Sequence, residues 1–250
     1  MQWIRLFGHR CRLFCKQISE LFIELIWPTR CVGCEKLAVL LCENCQRDLH
    51  YIDQKSACTR CGAPYGRLVC TECTPVHEPV RLAFTQACCA LEFTELSRRI
   101  IVTYKDKGEQ RLSALLASML AQVIPLEWKL WADVLTWIPA DEEAVRRRGF
   151  DHMALIAVSL AEQSGLKTRP LLIKHSRKDQ RSLNRREREQ NMRSVFSIKE
   201  PGLKTPKPAA QRIILIDDVF TTGATLDAAA QTLLSAGAKE IRVATICRVW

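Results

Sequence analysis

An acidic pair beside a threonine–glycine loop is the part of this 250-residue sequence best suited to chemistry. Asp217 and Asp218 directly follow the apolar run Ile213–Ile216. After them the chain continues through Thr221, Thr222, Gly223, Ala224 and Thr225. Carboxylates accept hydrogen bonds from sugar hydroxyls and bind Mg²⁺ directly or through water. A loop that leads into a helix offers backbone N–H groups to a phosphate, and its glycine allows close approach.

Two other interpretations of this segment are weaker. An apolar strand that ends in two acids also occurs in the Walker B element of nucleotide triphosphatases, but the Gly-x4-Gly-Lys-[Ser/Thr] loop that must accompany it is absent. A plain strand–turn–helix with capping threonines would not need two adjacent acids beside a threonine–glycine loop. The phosphate-binding interpretation is therefore favoured.

The second group consists of cysteines, of which the chain has thirteen. Eight form four Cys-x-x-Cys pairs: Cys31/Cys34, Cys42/Cys45, Cys58/Cys61 and Cys70/Cys73. Such pairs indicate zinc ligands in a reducing compartment and disulfides outside it. The sequence shows no secretory signal, so we expect a cytoplasmic protein with metal-bound thiolates.

Four thiolates suit one tetrahedral zinc, so the eight predict two structural zinc ions in a module at 28–78. Sequential pairing gives inner loops of seven and eight residues and is favoured over interleaved pairing. Four ligands close each site, which indicates a structural and not a catalytic role.

The first 27 residues predict an amphipathic basic helix that ends before Pro28. Its apolar side chains repeat at spacings of three and four, which places them on one stripe. The stripe packs on this protein or a partner, or it lies on a membrane surface. No stretch is apolar for long enough to cross a bilayer.

Residues 82–250 alternate between strand and helix patterns and predict an α/β domain with a mainly parallel sheet and helices on both faces. We expect strands at 87–93, 134–138, 171–173, 213–216 and 241–247. We expect helices at 95–104, 110–123, 152–164 and 224–235. In such sheets ligands bind at the carboxyl ends of the strands, where the acidic pair stands.

The thirteen residues 213–225 resemble the signature of type I phosphoribosyltransferases. Further blocks are Tyr104-Lys105, Ile138-Pro139, Arg-Arg-Arg-Gly-Phe-Asp-His at 146–152 and the spacing K-H-S-R-K-D-Q-x4-R-x5-N-x4-F from Lys174 to Phe196. With the cysteine module they make residues 28–250 similar to the ComF/GntX family, which is linked to DNA uptake in competent bacteria. That family usually has Pro-Val-Pro before the Arg-Gly-Phe block and Asn-Gln after it, where this chain has Ile138-Pro139-Ala140 and Asp151-His152.

The resemblance implies a ligand and an activity. Asp217 and Asp218 would contact the ribose hydroxyls of 5-phosphoribosyl-1-pyrophosphate (PRPP), bound with Mg²⁺, and residues 221–225 would hold its 5-phosphate. Phosphoribosyl transfer to an unknown acceptor follows as one hypothesis, although no catalytic residue can be named. The other hypothesis is a non-catalytic sensor, or a single-stranded-DNA-binding protein, that works with DNA-uptake proteins.

Basic residues predict contacts to anions, and the chain has a net charge of +10. Residues 174–193 contain eight Lys or Arg and three Asp or Glu. They form a lid over the departing pyrophosphate, a contact to nucleic-acid phosphates, or a solvated helix with internal ion pairs. The expected pyrophosphate or lid contacts are Lys105, Arg146, Arg148, Lys174, Arg177 and Arg185.

Overall fold

The structure is a computed structural model and describes residues 28–66, 68–74, 82–175, 195–199 and 208–250. The expected N-terminal helix at 1–27 lies outside the described residues, as do Arg177, Arg185 and most of the basic segment. The chain forms two compact units, residues 1–48 and 49–250, so the second cysteine cluster belongs to the same unit as the α/β domain.

The described residues contain seven α-helices and six β-strands. The helices are α1 (Glu43–Arg47), α2 (Glu95–Lys105), α3 (Leu112–Val123), α4 (Leu126–Trp131), α5 (Glu142–Arg148), α6 (His152–Ser164) and α7 (Ala224–Ser235). The strands are β1 (Gln86–Glu92), β2 (Val134–Trp137), β3 (Leu172–Lys174), β4 (Phe196–Ile198), β5 (Arg212–Phe220) and β6 (Glu240–Arg248).

Four strands form a parallel sheet in the order β1-β6-β5-β2. The residues Ile213–Ile216 in the first half of β5 are fully buried, and each such side chain stabilises the fold by about 1.5–3 kcal/mol. Ile213 and Leu215 pack in one cluster with Leu226 and Leu233 of α7. Alternate side chains point to the opposite face, which α3 and α6 cover by packing on each other and on β1 and β2. The expected α/β fold with a mainly parallel sheet is confirmed.

The central strand is longer than its sequence pattern indicates. β5 continues beside β6 as far as the pairing of Phe220 with Arg248, whereas β2 ends at Trp137, opposite Ile216. The acidic pair therefore lies inside β5 and not after it. On its β2 side this last part of β5 has no strand partner among the described residues, so the sheet opens there.

Other elements differ from the expectation in detail. β3 pairs antiparallel with β4 in a separate two-stranded sheet and does not join the parallel sheet. The short elements α4, α5 and β4 were not expected, because three to seven residues are too few to show a clear period. None of the described helices is both long and apolar enough to cross a membrane.

Candidate functional site

The acidic pair occupies the buried end of β5. Asp217 and Asp218 are each only 8% exposed. Successive strand residues point to opposite faces, yet Asp217 Oδ1 accepts a hydrogen bond of 2.9 Å from the Asp218 amide, which turns its carboxylate back along the strand. Both carboxylates line one cavity as a result.

Two basic side chains contact Asp218. Lys105 Nζ, at the end of α2, donates to Asp218 Oδ2 at 2.6 Å. His152 Nε2, at the start of α6, lies 3.3 Å from the same oxygen. His152 is placed there by its neighbours, because Asp151 caps α6 by accepting from the Met153 amide at 3.0 Å. Tyr104 donates its hydroxyl proton to the His152 carbonyl oxygen.

The two carboxyl groups differ in ionisation. Burial, together with the charge of Asp218, raises the pKa of Asp217 well above the ordinary carboxylate value. Burial alone would also raise the pKa of Asp218, but the polar contact with His152 and the charge of Lys105 outweigh it and hold that pKa below the ordinary value. Of the two carboxyl groups, Asp217 is therefore the one whose environment favours the protonated form.

The loop after β5 has the form expected of a phosphate cradle. Gly223 is the N-cap of α7, with φ 82° and ψ −3°, and the Thr222 hydroxyl accepts from the Ala224 amide at 3.4 Å. A Cβ atom at Gly223 would lie 2.7 Å from the ring of Phe220. Thr221 and Thr222 are exposed on the loop, and Thr225 is exposed in the first turn of α7. The glycine is therefore needed both for its backbone conformation and for its close contact with the ring.

Gly223→Ala is expected to destabilise the protein more than Gly149→Ala. Both glycines have φ 82° and ψ −3°, but a Cβ atom at Gly149 meets nothing within 4 Å. The left-handed conformation alone costs an alanine roughly 1–2 kcal/mol, and Gly223→Ala adds the clash with Phe220. Chemical denaturation of both variants measures the difference, and equal losses would show that the contact with Phe220 is unimportant.

The acidic pair opens into a cavity of about 220 Å³. Its lining residues are Lys105, Ile138, Pro139, Ala140, Asp141, Ala144, Arg148, His152, Lys174, Asp217, Asp218, Val219 and Thr225. The Ile138 amide donates to the Ile216 carbonyl at 3.0 Å, which brings the turn at 139–141 against the acidic pair. Three strand ends and the start of α7 therefore meet at one site.

The expected anion contacts divide into three groups. Lys105, Arg148 and Lys174 line the cavity, although Lys105 is paired with Asp218. Arg146 does not line it; its side chain is 75% exposed and faces Glu142 at 3.8 Å. Arg177 and Arg185 lie outside the described residues.

His152 is a site residue whose individual role the sequence did not reveal. Its side chain is 5% exposed, and neither ring nitrogen makes a well-aligned hydrogen bond with any described group. The sequence feature that could have indicated His152 is its position after Arg-Gly-Phe-Asp, where the family that this sequence resembles usually has glutamine. The buried imidazole lies in the cavity wall beside Asp218.

The cysteines form two clusters by sequential pairing: Cys31, Cys34, Cys42 and Cys45, then Cys58, Cys61, Cys70 and Cys73. In each cluster all four sulfur atoms lie within 4.8 Å of one another. The Cys34–Cys42 and Cys61–Cys70 Sγ distances are both 3.6 Å, close to the roughly 3.8 Å that tetrahedral Zn–S bonds of about 2.3 Å require. The donor set and spacing therefore fit one zinc per cluster.

Comparison with known proteins identifies both modules. Residues 155–249 match the phosphoribosyl transferase domain family, and residues 22–74 match the double zinc ribbon domain family. A glutamine phosphoribosylpyrophosphate amidotransferase from B. subtilis is 27% identical, with a TM-score of 0.38, over 53% of this chain and 25% of its own. The chain thus spans about a quarter of that protein, and its own strand order is the basis of the fold assignment.

Curated relatives align over most of the chain. Competence protein ComFC of Streptococcus pneumoniae is 29% identical over 210 residues, which cover 78% of this chain and 89% of the relative. DNA utilization protein YhgH of Salmonella typhi is 27% identical over 223 residues, which cover 83% of this chain and 90% of the relative. The two domain matches and these relatives together support the resemblance to the ComF family.

Proposed function

We propose that the chain binds 5-phosphoribosyl-1-pyrophosphate with Mg²⁺ and transfers the phosphoribosyl group to an acceptor during DNA uptake or utilisation. The observation that supports this most is that one cavity is lined by the acidic pair, the turn at 139–141 and Thr225 at the start of α7. The names of the relatives, which refer to competence and DNA utilization, support the biological setting.

Each part of the cavity has a role in this proposal. The N–H groups at the start of α7 and the threonine hydroxyls hold the 5-phosphate. Asp217 and Asp218 accept hydrogen bonds from the ribose hydroxyls. Lys174 and Arg148 face the pyrophosphate, where positive charge stabilises the negative charge that develops as the bond to C1 breaks.

Mg²⁺ fits the donor set beside the acidic pair. Carboxylate oxygens are ligands that Mg²⁺ prefers, and it commonly shares them with substrate phosphates. The acidic pair has room for further positive charge, since Lys105 pairs with only one of the two carboxylates. Bound there, the ion would neutralise charge on the pyrophosphate group.

PRPP with Mg²⁺ is expected to raise the melting temperature. A ligand at a hundredfold excess over its dissociation constant stabilises the folded state by about 2.7 kcal/mol. For a domain of 150–250 residues this corresponds to roughly 5–10 °C. Differential scanning fluorimetry measures the shift, with Mg²⁺ alone and Mg²⁺ with pyrophosphate as controls; no shift at millimolar PRPP would contradict the proposal.

Pyrophosphate release then separates transfer from sensing. The protein is incubated with PRPP, Mg²⁺ and candidate nucleobases or oligonucleotides, and released pyrophosphate is measured. Acceptor-dependent release supports transfer. Tight PRPP binding without release for any acceptor would show a sensor that keeps the binding site and lacks turnover.

A further inference from the structure

Arg248, the last residue of β6, contacts the backbone of the loop that follows β5. Its side chain is 5% exposed. Nη1 donates to the Thr221 carbonyl oxygen at 2.8 Å and to the Phe220 carbonyl oxygen at 3.4 Å. The guanidinium also stacks on the Phe220 ring, 4.6 Å from its centre. That ring is the one packed beneath Gly223.

The other side of the same guanidinium contacts the second cysteine cluster. Nε donates to the Cys61 carbonyl oxygen at 3.1 Å, and Nη2 lies 3.6 Å from Glu72, between Cys70 and Cys73. Arg248 therefore bridges the cysteine cluster at 58–73 and the loop at 221–225, which are far apart in the chain. Both belong to the same compact unit.

Fixing a carbonyl group also fixes the neighbouring N–H group. A trans peptide unit is planar, so its C=O and N–H bonds point in opposite directions. By holding the carbonyls of Phe220 and Thr221, Arg248 turns the N–H groups of Thr221 and Thr222 away from itself. These are groups that a phosphate bound in the loop would meet.

We propose that Arg248 is a positioning residue that orients the N–H groups of the phosphate loop and makes that orientation depend on zinc in the second cysteine cluster. The inference rests on the proposed binding of PRPP at this loop. It adds that the zinc ribbon controls the affinity of the sugar-phosphate site.

The coupling follows from what the zinc holds in place. Cys61 and Glu72 lie within the segment that four sulfur ligands hold around one ion, and a segment held in this way loosens when the metal leaves. Arg248 then loses its acceptor at Cys61, and its hold on Thr221 loosens. Because coupling between two binding sites is reciprocal, PRPP tightens zinc binding by the same factor by which zinc tightens PRPP binding.

Hydrogen exchange on the wild-type protein tests the link without any substitution. A zinc-selective chelator is expected to lower the amide protection of Asp227 and Val249, which donate to the Gly223 and Phe220 carbonyl oxygens of the loop, together with that of 58–73. The first turn of α6, which lines the same cavity but does not contact Arg248, is expected to stay protected. Unchanged exchange at Asp227 and Val249 would overturn the proposal, and so would loss of protection throughout the domain, since zinc would then stabilise the whole fold.

Binding measurements test the residue itself. Zinc removal, followed by exchange of the chelator for Mg²⁺, is expected to weaken PRPP binding to wild type by roughly 5- to 150-fold. Arg248→Met is expected to bind weakly with or without zinc. Arg248→Lys keeps the positive charge but lacks the planar set of donors of a guanidinium, so its PRPP binding is also expected to be weak.

Arg242→Met is the matched control, because Arg242 lies in the same strand and stacks on Trp131 at 4.0 Å, away from the loop. It is expected to bind PRPP as tightly as wild type and to respond to zinc equally.

Zinc-dependent binding that persists in Arg248→Met would overturn the proposal. If Arg248→Met does not fold, Arg248→Lys and the exchange experiment decide. A wild type that never binds PRPP refutes the proposed function, whereas the exchange experiment still tests the bridge.

Discussion

Replacing Asp217 and Asp218 together with asparagine is expected to abolish the thermal shift produced by PRPP and Mg²⁺. Asparagine is close in shape but has no charge, so it leaves the cavity intact and removes the groups proposed to hold the ribose and the cation. Each charge-assisted hydrogen bond lost costs about 1.5–3 kcal/mol, so the affinity should fall by two or more orders of magnitude. Isothermal titration calorimetry measures the loss of affinity. A thermal shift that persists in the double variant would show that the sugar-phosphate binds at another site.

The single variants provide the control for stability, because the two acids differ. The raised pKa of Asp217 means that its ionisation opposes folding. This group therefore contributes stability below the ordinary carboxylate pKa and loses it as pH rises through the higher folded-state value. Asp217→Asn should accordingly be about as stable as wild type at pH 4 and more stable at pH 8, without ligand.

Asp218→Asn should behave in the opposite way. The lowered pKa of Asp218 means that its ionised form stabilises the fold, through Lys105 and His152, above the ordinary carboxylate pKa and loses that contribution in acid. Its loss leaves Lys105 without its acceptor and should cost about 1–3 kcal/mol at neutral pH. Urea denaturation at the two pH values measures both effects; identical profiles for the two variants would show that the acids are equivalent.

Removal of zinc is expected to unfold residues 28–48 completely. Every buried apolar side chain in this range is a cysteine of the first cluster: Cys31, Cys42 and Cys45. The range therefore has no core of its own, and structural zinc supplies about 10–16 kcal/mol of apparent binding free energy in comparable small modules. Elemental analysis of protein purified without chelator should find two zinc equivalents.

The second cysteine cluster should keep more of its structure than the first when zinc is removed. Its cysteines lie in one continuous core with Phe84, Phe220 and Leu226, so apolar packing remains when the metal leaves. Amide exchange after chelation should reach the unfolded rate throughout 28–48, and 58–73 should keep part of its protection. A metal-free protein that keeps 28–48 folded would refute the structural role of the first zinc.

Local patterns were enough to predict most elements. The run Ile213–Ile216 is a strand because four consecutive apolar residues can be buried on both faces of a parallel sheet. Helix α6 begins after Asp151 and ends at Gly165, as an acceptor at the N-cap and a left-handed residue at the C-cap require. The zinc pairs were equally visible, since ligands two residues apart on a tight turn need no distant partner.

The sequence by itself determined the fold class, the two cysteine clusters and the order of acids, loop and helix at 213–225, because short-range periodicity and spacing encode each of them. Only the tertiary structure decided which distant groups meet them. Lys105 reaches Asp218 across 113 residues, and Arg248 reaches Cys61 across 187. Such contacts depend on how the strands are ordered and where each ends, and sheet order is set by packing of the whole core. A lysine expected to face the pyrophosphate therefore pairs with an acid, and an arginine with no visible motif joins the zinc ribbon to the phosphate loop.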